Sequence, residues 1–421
     1  MSPYNKLLST DQCKNILSKD LNHQNFTIKS FEISSLSDKI EGFLGEHFVV
    51  IIEYDLLEEP FCHCKTRYFM KMLSGASQVI TQITTALNAF AKEEFFYNFL
   101  LVEMNKNHID VSFAPKSYIC KSNIVVLEDL SMKEYRNFPK TSFFDVAHCK
   151  QALNTLAKLH SSSILYERQL GKDSNLLYLY PEMFKNVFSS KDSNNIVQKW
   201  FKHSLEGLFP IIEHIYEKDA RKNDFISKLN ELVKNSHDIL DNASKHGCAI
   251  LHGDVWSNNF LFKYKEETLT DCVLIDYQMV NYGPPSMEVL HLLYCNTRKE
   301  FRDDHLSEFI DFYYDRLQAN LSSESDLNSF LPKDEFLRLC EVYKPWIKLQ
   351  CICDKCVTFI PDKYVNVTND DDLRKYLFED RAKVILTCFE NEKSFREVLS
   401  EDIEELRELV LKDLSLKSNL A

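Results

Sequence analysis

A short hairpin with polar residues at both ends places the strongest constraint on how this chain can fold. Its strands are the apolar segments NFLFKY (259–264) and CVLIDY (272–277), which the polar run KEETLTD (265–271) joins. We predict two antiparallel strands from this pattern. An antiparallel hairpin places the start of its first strand beside the end of its second. Asn259 and Asp276 should therefore be neighbours at one edge of the hairpin.

The loop that leads into this hairpin, HGDVWSNN (252–259), supplies a second carboxylate, Asp254, on the same rim. Carboxylate and amide oxygens suit a hard cation such as Mg²⁺, and a further carboxylate nearby can accept a proton from a hydroxyl. Phosphoryl transfer needs these groups. For Asp254 or Asn259 alone, a turn or a cap is the commoner role. The three side chains together, at hairpin spacing, favour the chemical role.

The remaining sequence predicts an α+β fold with a small β-rich part followed by a larger helical part. From about residue 145 the apolar spacing is helical, as in 150–167 and 401–414, and the hairpin is the β island within that region. The first part is predicted to form two strands, one helix and two further strands, in that order. In chain order these elements are 47–56, 66–73, the helix 86–104, 112–120 and 123–130.

The composition excludes several classes of protein. The 421 residues are 44% hydrophobic and 12% aromatic, which permits a large core and argues against extensive disorder. The formal net charge of −13 argues against nucleic acid as the main partner. No apolar run reaches the roughly 18 to 20 residues of a membrane span, and no secretion signal is present at the start. We therefore expect a cytoplasmic protein without a membrane, nucleic-acid or evident obligate protein partner.

Two groups of cysteines have the spacing of metal ligands. The first is CHC at 62–64, and the second is CICDKC at 351–356. A zinc site usually combines two such groups, so a joint site would require these distant segments to meet. Buried free cysteine also serves as a small apolar filler, and the apolar surroundings of the second group favour that interpretation. The odd total of 13 cysteines indicates reduced thiols.

The motif HGDVWSNN followed by LIDYQ (274–278) resembles the catalytic and metal-binding loops of small-molecule kinases. These kinases are related to aminoglycoside phosphotransferases and choline kinases, and the segment 250–294 is most similar to the ecdysteroid-kinase-like family. The resemblance implies a bilobal protein-kinase-like fold. Residues 1–129 would form the nucleotide-binding lobe and residues 130–421 the catalytic and substrate-binding lobe, with ATP and Mg²⁺ as cofactors.

The resemblance also implies a role for each polar residue around the hairpin. Asp254 would be the catalytic base, and Asn259 and Asp276 would hold Mg²⁺. His252 would brace the loop through backbone hydrogen bonds. Where relatives commonly carry an aspartate that also braces this loop, this chain has Glu288, so the brace could differ here.

In the first lobe, the resemblance assigns Lys71 to the ATP phosphates and Glu93 to an ion pair with Lys71. An edge-strand lysine is the alternative for Lys71. Glu94, or a solvated helix face, is the alternative for Glu93. The adenine edge would meet backbone groups from Glu128 to Leu130. A covering loop would contain Gly42 and Gly45, although an ordinary turn explains two glycines equally well.

The acceptor implied by the resemblance is a hydroxyl on a small and fairly apolar molecule, of the ecdysteroid or hydroxylated xenobiotic class. Aromatic-rich helices could line a pocket for such a molecule, although aromatic residues more often pack in a core. A choline-type or sugar-adduct acceptor is the alternative substrate class. A protein that binds a nucleotide or ligand without turnover is the alternative from another class.

Overall fold

The computed structural model confirms the α+β prediction, with an antiparallel sheet in the first 128 residues and a mainly helical remainder. None of the helices in the described ranges has both the length and the hydropathy to cross a membrane. The structure describes residues 2–36, 45–58, 61–73, 77–121, 123–140, 142–171, 174–190, 192, 195–243, 247–321, 327–366 and 369–412.

The first part of the chain forms a five-stranded sheet with a helix on one face and a helical run on the other. Its elements are α1 (Thr10–Leu21), β1 (Phe26–Ser35), β2 (Glu46–Leu56), β3 (His63–Met72), α2 (Gln78–Ala86), α3 (Ala89–Phe95), a π-helical turn (Phe96–Leu100), α4 (Leu101–Lys106), β4 (Ser117–Lys121) and β5 (Ile124–Glu128). The strands pair in the order β1-β2-β3-β5-β4, and each pair is antiparallel.

Two elements of this part, α1 and β1, were not predicted. Strand β1 lies at the edge of the sheet, and its apolar alternation, Phe26 and Ile28 followed by Phe31 and Ile33, is interrupted by a register shift between Ile28 and Ser30. The predicted helix 86–104 was wrong in its bounds. Asn88 adopts a left-handed conformation with φ of 54° and separates α2 from α3, while the apolar spacing continues across this break.

The second part surrounds a buried central helix, α11, with other helices and short strands. All twelve residues of α11 are buried, and it packs against α5 and α14. The elements are β6 (Tyr135–Asn137), α5 (Val146–Gln169), α6 (Leu176–Leu179), α7 (Pro181–Phe184), α8 (Ile196–Ile215), α9 (Lys222–Lys234), α10 (Ser236–Ala243), β7 (Ala249–Leu251), β8 (Phe260–Lys265), β9 (Thr268–Leu274), β10 (Asn281–Gly283), α11 (Pro285–Asn296), α12 (Lys299–Asn320), α13 (Leu327–Phe330), α14 (Lys333–Thr358), α15 (Asp370–Phe378), α16 (Arg381–Asn391) and α17 (Lys393–Lys412).

The predicted hairpin is present as β8 and β9, which pair antiparallel with Phe260 opposite Leu274. The predicted turn 265–271 was too long, because β9 already begins at Thr268. The loop consists of Glu266 and Glu267, both with positive φ, as a tight two-residue hairpin turn requires.

A buried ion cluster joins α14 to α17. The Asp402 carboxylate accepts hydrogen bonds from Lys348 and from Lys355, whose Nζ lies 2.7 Å from Asp402 Oδ2. All three side chains are at most 3% exposed. Burial opposes the charge of Asp402, but the two lysines outweigh it and hold the pKa of this carboxyl far below its ordinary value. The carboxylate therefore supplies the counter-charge for Lys355 and shares Lys348 with Glu405, whose Oε2 lies 2.5 Å from Lys348 Nζ.

We expect Asp402→Ala to lower the free energy of unfolding by about 3–5 kcal/mol at pH 7, because it leaves the buried ammonium of Lys355 without its carboxylate and leaves Lys348 with Glu405 alone. Urea denaturation measures this change. The depressed pKa implies that the stabilisation is present above the unfolded carboxyl pKa of about 3.9 and is lost as pH falls below it. Asp303→Ala, which removes an exposed partner of Lys299, is the control. An equal loss in both variants would contradict the prediction.

Candidate functional site

The loop 252–259 follows β7, and its backbone conformation requires a glycine at position 253. Gly253 has φ of +82°, and a Cβ atom there would lie 2.3 Å from the carbonyl oxygen of Met279. Strand β7 pairs antiparallel with β10, so the loop lies directly against the segment that connects the hairpin to β10. This pairing is what brings the loop and Asp276 to the same edge.

His252 connects the loop to the end of the hairpin. Its Nε2 donates to the carbonyl oxygen of Ile275 at 2.9 Å, and its Nδ1 accepts from the backbone N–H of Asp254 at 3.3 Å. These two bonds assign the tautomer. The ring is fully buried, and burial lowers the pKa of His252, so the imidazole is neutral. The contacts agree with the backbone-bracing role expected for this residue.

Glu288, on α11, holds the loop through its backbone. Its carboxylate accepts from the N–H groups of His252 at 3.0 Å and Gly253 at 2.7 Å, and its Oε2 lies 2.8 Å from His160 Nε2. Burial opposes the negative charge, but the hydrogen bond and charge of His160, together with smaller contributions that include the N–H of Gly253, outweigh it and keep the pKa of Glu288 below its ordinary value. The longer side chain in place of an aspartate therefore still reaches both amides.

The predicted base and the two predicted metal ligands lie around the mouth of this loop. Asn259 Nδ2 donates to the backbone oxygen and to Oδ2 of Asp254, both at 2.8 Å. The carbonyl oxygen of Asn259 accepts from the N–H of Ile275, next to Asp276. Burial, followed by the negative charge of Asp276, raises the pKa of Asp254 to about 7. Asp276 lies two residues beyond the end of β9, in a left-handed conformation with φ of 72°.

Lys71 extends from β3 to this group and joins the two parts of the chain. Its Nζ lies 3.0 Å from Glu93 Oε2, 2.5 Å from Asp276 Oδ1 and 3.1 Å from Gln278 Oε1. Gln278 Nε2 also donates to Asp276 Oδ2 at 3.0 Å. Burial disfavours the ammonium charge, but the carboxylates of Asp276 and Glu93 outweigh it and hold the Lys71 pKa above its ordinary value. Lys71 is therefore a charged, buried group.

The partner of Lys71 on α3 is Glu93, as expected, and the competing Glu94 does not make this contact. Beside it, the buried Lys92 donates to the carbonyl oxygen of Val280 at 2.9 Å, and burial lowers its pKa to about 8. The ring of Tyr277 stacks on Phe96 at 3.8 Å. Helix α3 is thus anchored to the segment around Asp276 by charge, hydrogen bonding and stacking.

The predicted covering loop is described only in part, because Gly42 lies outside the described residues. A Cβ atom on Gly45 would lie 3.0 Å from the carbonyl oxygen of Met72 and 3.2 Å from Cγ of Lys71. The absence of a side chain at Gly45 therefore allows the chain to approach Lys71 closely. His47 pairs with Lys71 across β2 and β3, and burial, followed by the lysine charge, lowers its pKa to about 4.

The predicted adenine-binding segment lies where β5 ends. Glu128 is the last residue of β5, and Leu130 begins a short 3₁₀ turn that ends at Lys133. The carboxylate of Glu128 accepts from the N–H of Lys116 at 2.8 Å and forms an ion pair with Lys133. The side chain of Glu128 is therefore already engaged, and only backbone groups are candidates for recognising an adenine.

The residues at this edge fit a magnesium ion. Two carboxylates and one carboxamide converge there, and oxygen ligands are those that Mg²⁺ prefers. The amide nitrogen of Asn259 is used by Asp254, so its amide oxygen is the atom left to act as a ligand. Asp276 Oδ1 already contacts the ammonium of Lys71, which shows that this carboxylate accepts a cation.

Several residues of the site were not predicted from the sequence. Gln278 and His47 contact Lys71 directly or across one strand pair, and Lys92 binds the backbone of Val280 in the segment after Asp276. Behind the loop, Tyr313 forms a 2.6 Å hydrogen bond with His160, which in turn contacts Glu288. A polar residue within an apolar run is the sequence signal in each case, but it does not identify the partner.

Comparisons with known proteins bear on this site. A search of curated proteins found no match. Among solved structures, an ethanolamine kinase of Plasmodium vivax is 12% identical and covers 85% of this chain and 81% of its own, with a TM-score of 0.41. The ADP-bound aminoglycoside phosphotransferase APH(2″)-Ib is 15% identical, covering 96% and 98%, with a TM-score of 0.38. APH(3″)-Id of Streptomyces rimosus, with ADP and streptomycin, is 10% identical, covering 69% and 88%, with a TM-score of 0.32.

The family comparison covers most of the chain. The model of the ecdysteroid kinase-like family matches residues 39–324, a range that includes the hairpin, the loop 252–259, Lys71 and Glu93. This range is more than half of the 421 residues. The chain therefore belongs to the ecdysteroid kinase-like family.

Proposed function

We propose that this protein is an ATP-dependent kinase that transfers the γ-phosphate to a hydroxyl of a small, apolar acceptor. The supporting observation is the convergence of one ammonium, three acidic side chains and one carboxamide from separate segments. Lys71 and Glu93 come from the sheet and α3, whereas Asp254, Asn259 and Asp276 come from the loop and the hairpin. Family membership supports a phosphotransferase with this set of groups.

The proposed nucleotide contacts follow from charge and position. Lys71 would bind phosphate oxygens, because its ammonium is charged and lies beside Asp276 at the junction of the sheet and the hairpin. Asn259 and Asp276 would hold Mg²⁺, which when bound neutralises charge on the phosphates. The backbone from Glu128 to Leu130 would meet the adenine edge, and Gly42 and Gly45 would belong to the covering loop.

Asp254 is the proposed base. A carboxylate with a pKa near 7 can accept a proton from a hydroxyl and later release it at neutral pH. Asn259 and the backbone bond to His252 fix the orientation of this residue. The loop therefore holds its one carboxylate, that of Asp254, at the edge where the proposed metal ligands also lie.

Membership of the ecdysteroid kinase-like family supports an apolar acceptor. A small cavity lies beside the loop, where Phe188, Met279, Met287 and Ile347 line it together with the polar side chains of Asn186, Asn281, His291 and Gln350, and Gly253 forms part of its wall. Glu288 also lines the cavity, but its carboxylate is engaged by the loop and by His160. The lining alone does not select among an ecdysteroid, a hydroxylated xenobiotic, choline and a sugar adduct, so the proposed acceptor class rests on family membership. We place the protein in the cytoplasm, since all thirteen cysteines are free.

Phosphotransfer from Mg·ATP to a panel of acceptors tests this proposal. Hydroxylated steroids and hydroxylated xenobiotics should be phosphorylated, while choline, ethanolamine, an aminoglycoside and a fructosamine should not. Transfer to one of the latter group would replace the acceptor class and keep the kinase. Nucleotide binding without transfer or ATP hydrolysis across the panel would instead identify a non-catalytic binding protein.

We expect Asp254→Asn to reduce phosphotransfer by about 10²–10⁴-fold, because the amide cannot accept the hydroxyl proton. Its affinity for Mg·ATP should remain close to that of the unchanged protein, since a base acts on the acceptor. Single-turnover transfer and calorimetric titration measure the two quantities. Asp303→Asn, on the exposed face of α12, serves as the control. Turnover that survives in Asp254→Asn would refute the assigned role.

Asp276→Ala should weaken the binding of ATP by about tenfold or more when Mg²⁺ is present, because a metal ligand is lost. Without Mg²⁺ the same substitution should not weaken the binding of ATP, since it removes a negative charge beside Lys71. Calorimetric titrations with and without the metal separate these effects. Equal ATP affinity in the presence of Mg²⁺ would show that Asp276 does not hold the ion.

A further inference from the structure

Three side chains with metal-ligand chemistry meet between helices α11 and α14. They are His291 and Cys295 on α11, and Cys351 on α14. His291 and Cys295 are four residues apart and therefore share one face of their helix. That face packs against α14, which places Cys351 opposite both. In the part of the chain that the structure describes, this is the one group of three such residues close enough to share an ion.

The atoms of this group are within reach of a single centre. One ligand atom from each residue lies within 4.8 Å of the others, and the two sulfur atoms are 3.1 Å apart. His291 and Cys295 are at most 7% exposed, and Cys351 is fully buried. Although both cysteines belong to the hydrophobic core, their sulfur atoms therefore face each other and an imidazole.

A fourth residue fixes the orientation of the imidazole. Asp354, one turn after Cys351 on α14, has its Oδ2 3.2 Å from His291 Nε2. This bond leaves Nδ1 as the ring nitrogen available to a metal. Metal-bound histidines commonly donate their other ring N–H to a carboxylate, which fixes the ring and raises its basicity. Both the ligand atoms and this outer carboxylate are thus present.

We infer that His291, Cys295 and Cys351 bind a zinc ion that bridges α11 and α14. Two thiolates and one imidazole are ligands that Zn²⁺ accepts, and three protein ligands leave one of its four usual positions for water or another ligand. Asp354 is the outer carboxylate that orients His291. None of these four residues is a proposed magnesium ligand, although His291 also lines the cavity beside the loop, and the inference does not depend on the proposed function.

This arrangement differs from the two cysteine groups visible in the sequence. Of the three cysteines in the segment 351–356, only Cys351 contributes a ligand, and the other two ligands come from α11. The other group, at 62–64, lies at the start of β3, where Cys62 is exposed and its sulfur lies 3.3 Å from that of Cys64. No third ligand joins that pair among the groups found in the described residues.

The zinc ion would also fix the position of the loop brace. Glu288 lies on α11 three residues before His291, and its carboxylate holds the backbone of His252 and Gly253. A bridge between α11 and α14 would restrain the helix that carries this carboxylate. The position of the brace would then depend on the metal, although the metal touches no residue of the loop.

Metal content and cobalt spectroscopy test the inference. The full chain is produced with Cys62→Ser and Cys64→Ser, which removes the exposed pair, in medium supplemented with zinc or with cobalt, and is purified under reducing conditions. We expect about one ion per chain, and cobalt-thiolate absorption in the cobalt-grown protein. Cys351→Ser and His291→Asn in this background should lose the ion and the absorption.

Cys353→Ser is the matched control, because Cys353 is equally buried on the same helix but is not part of the group. It should retain both the ion and the absorption. If the folded background protein contains no stoichiometric zinc and no cobalt-thiolate absorption, the inference is overturned. Retention of the ion in folded Cys351→Ser would overturn it as well. Because the background protein is tested directly, the result does not depend on whether the other variants fold.

Discussion

The ammonium of Lys71 is the interaction on which the rest of this structure depends. A buried lysine is costly unless carboxylates compensate its charge, and here they come from α3 and from the segment that follows β9. These segments are separated by more than 180 residues along the chain. The requirement to neutralise one side chain therefore fixes the sheet, its helix and the hairpin relative to one another.

A second constraint acts behind the loop, where Glu288 replaces the water that would otherwise solvate two backbone amides. One carboxylate satisfies the N–H groups of His252 and Gly253 and also contacts His160. Because α11 is buried along its whole length, the carboxylate cannot move without disturbing the core. The loop, although it lies at the rim of a cavity, is thus supported by the most rigid part of the molecule.

The sequence predicts what lies within one local pattern and misses what depends on distant partners. The hairpin was predicted because apolar strands with a polar connection are visible in about twenty residues, and Lys71 because a charge interrupts an apolar strand. The contacts of His160 with Glu288 and of Cys295 with Cys351 join residues 128 and 56 positions apart, so no local pattern reveals them. Strand β1 was missed because a register shift between Ile28 and Ser30 interrupts its apolar alternation. The lobe boundary between residues 129 and 130 and the roles of the site residues stay predictions.

The neutral state of His252 has a consequence for how the molecule responds to acidity. The pKa values of His252 and Glu288 both lie below their ordinary values, so neither group changes charge near neutral pH. The scaffold of the loop should therefore keep one shape across the range in which Asp254 gains or loses a proton. An acid-dependent change confined to the loop 252–259 near neutrality would report on Asp254 and not on a rearrangement of the backbone that presents it, since Lys92, whose pKa is about 8, contacts Val280 outside the loop.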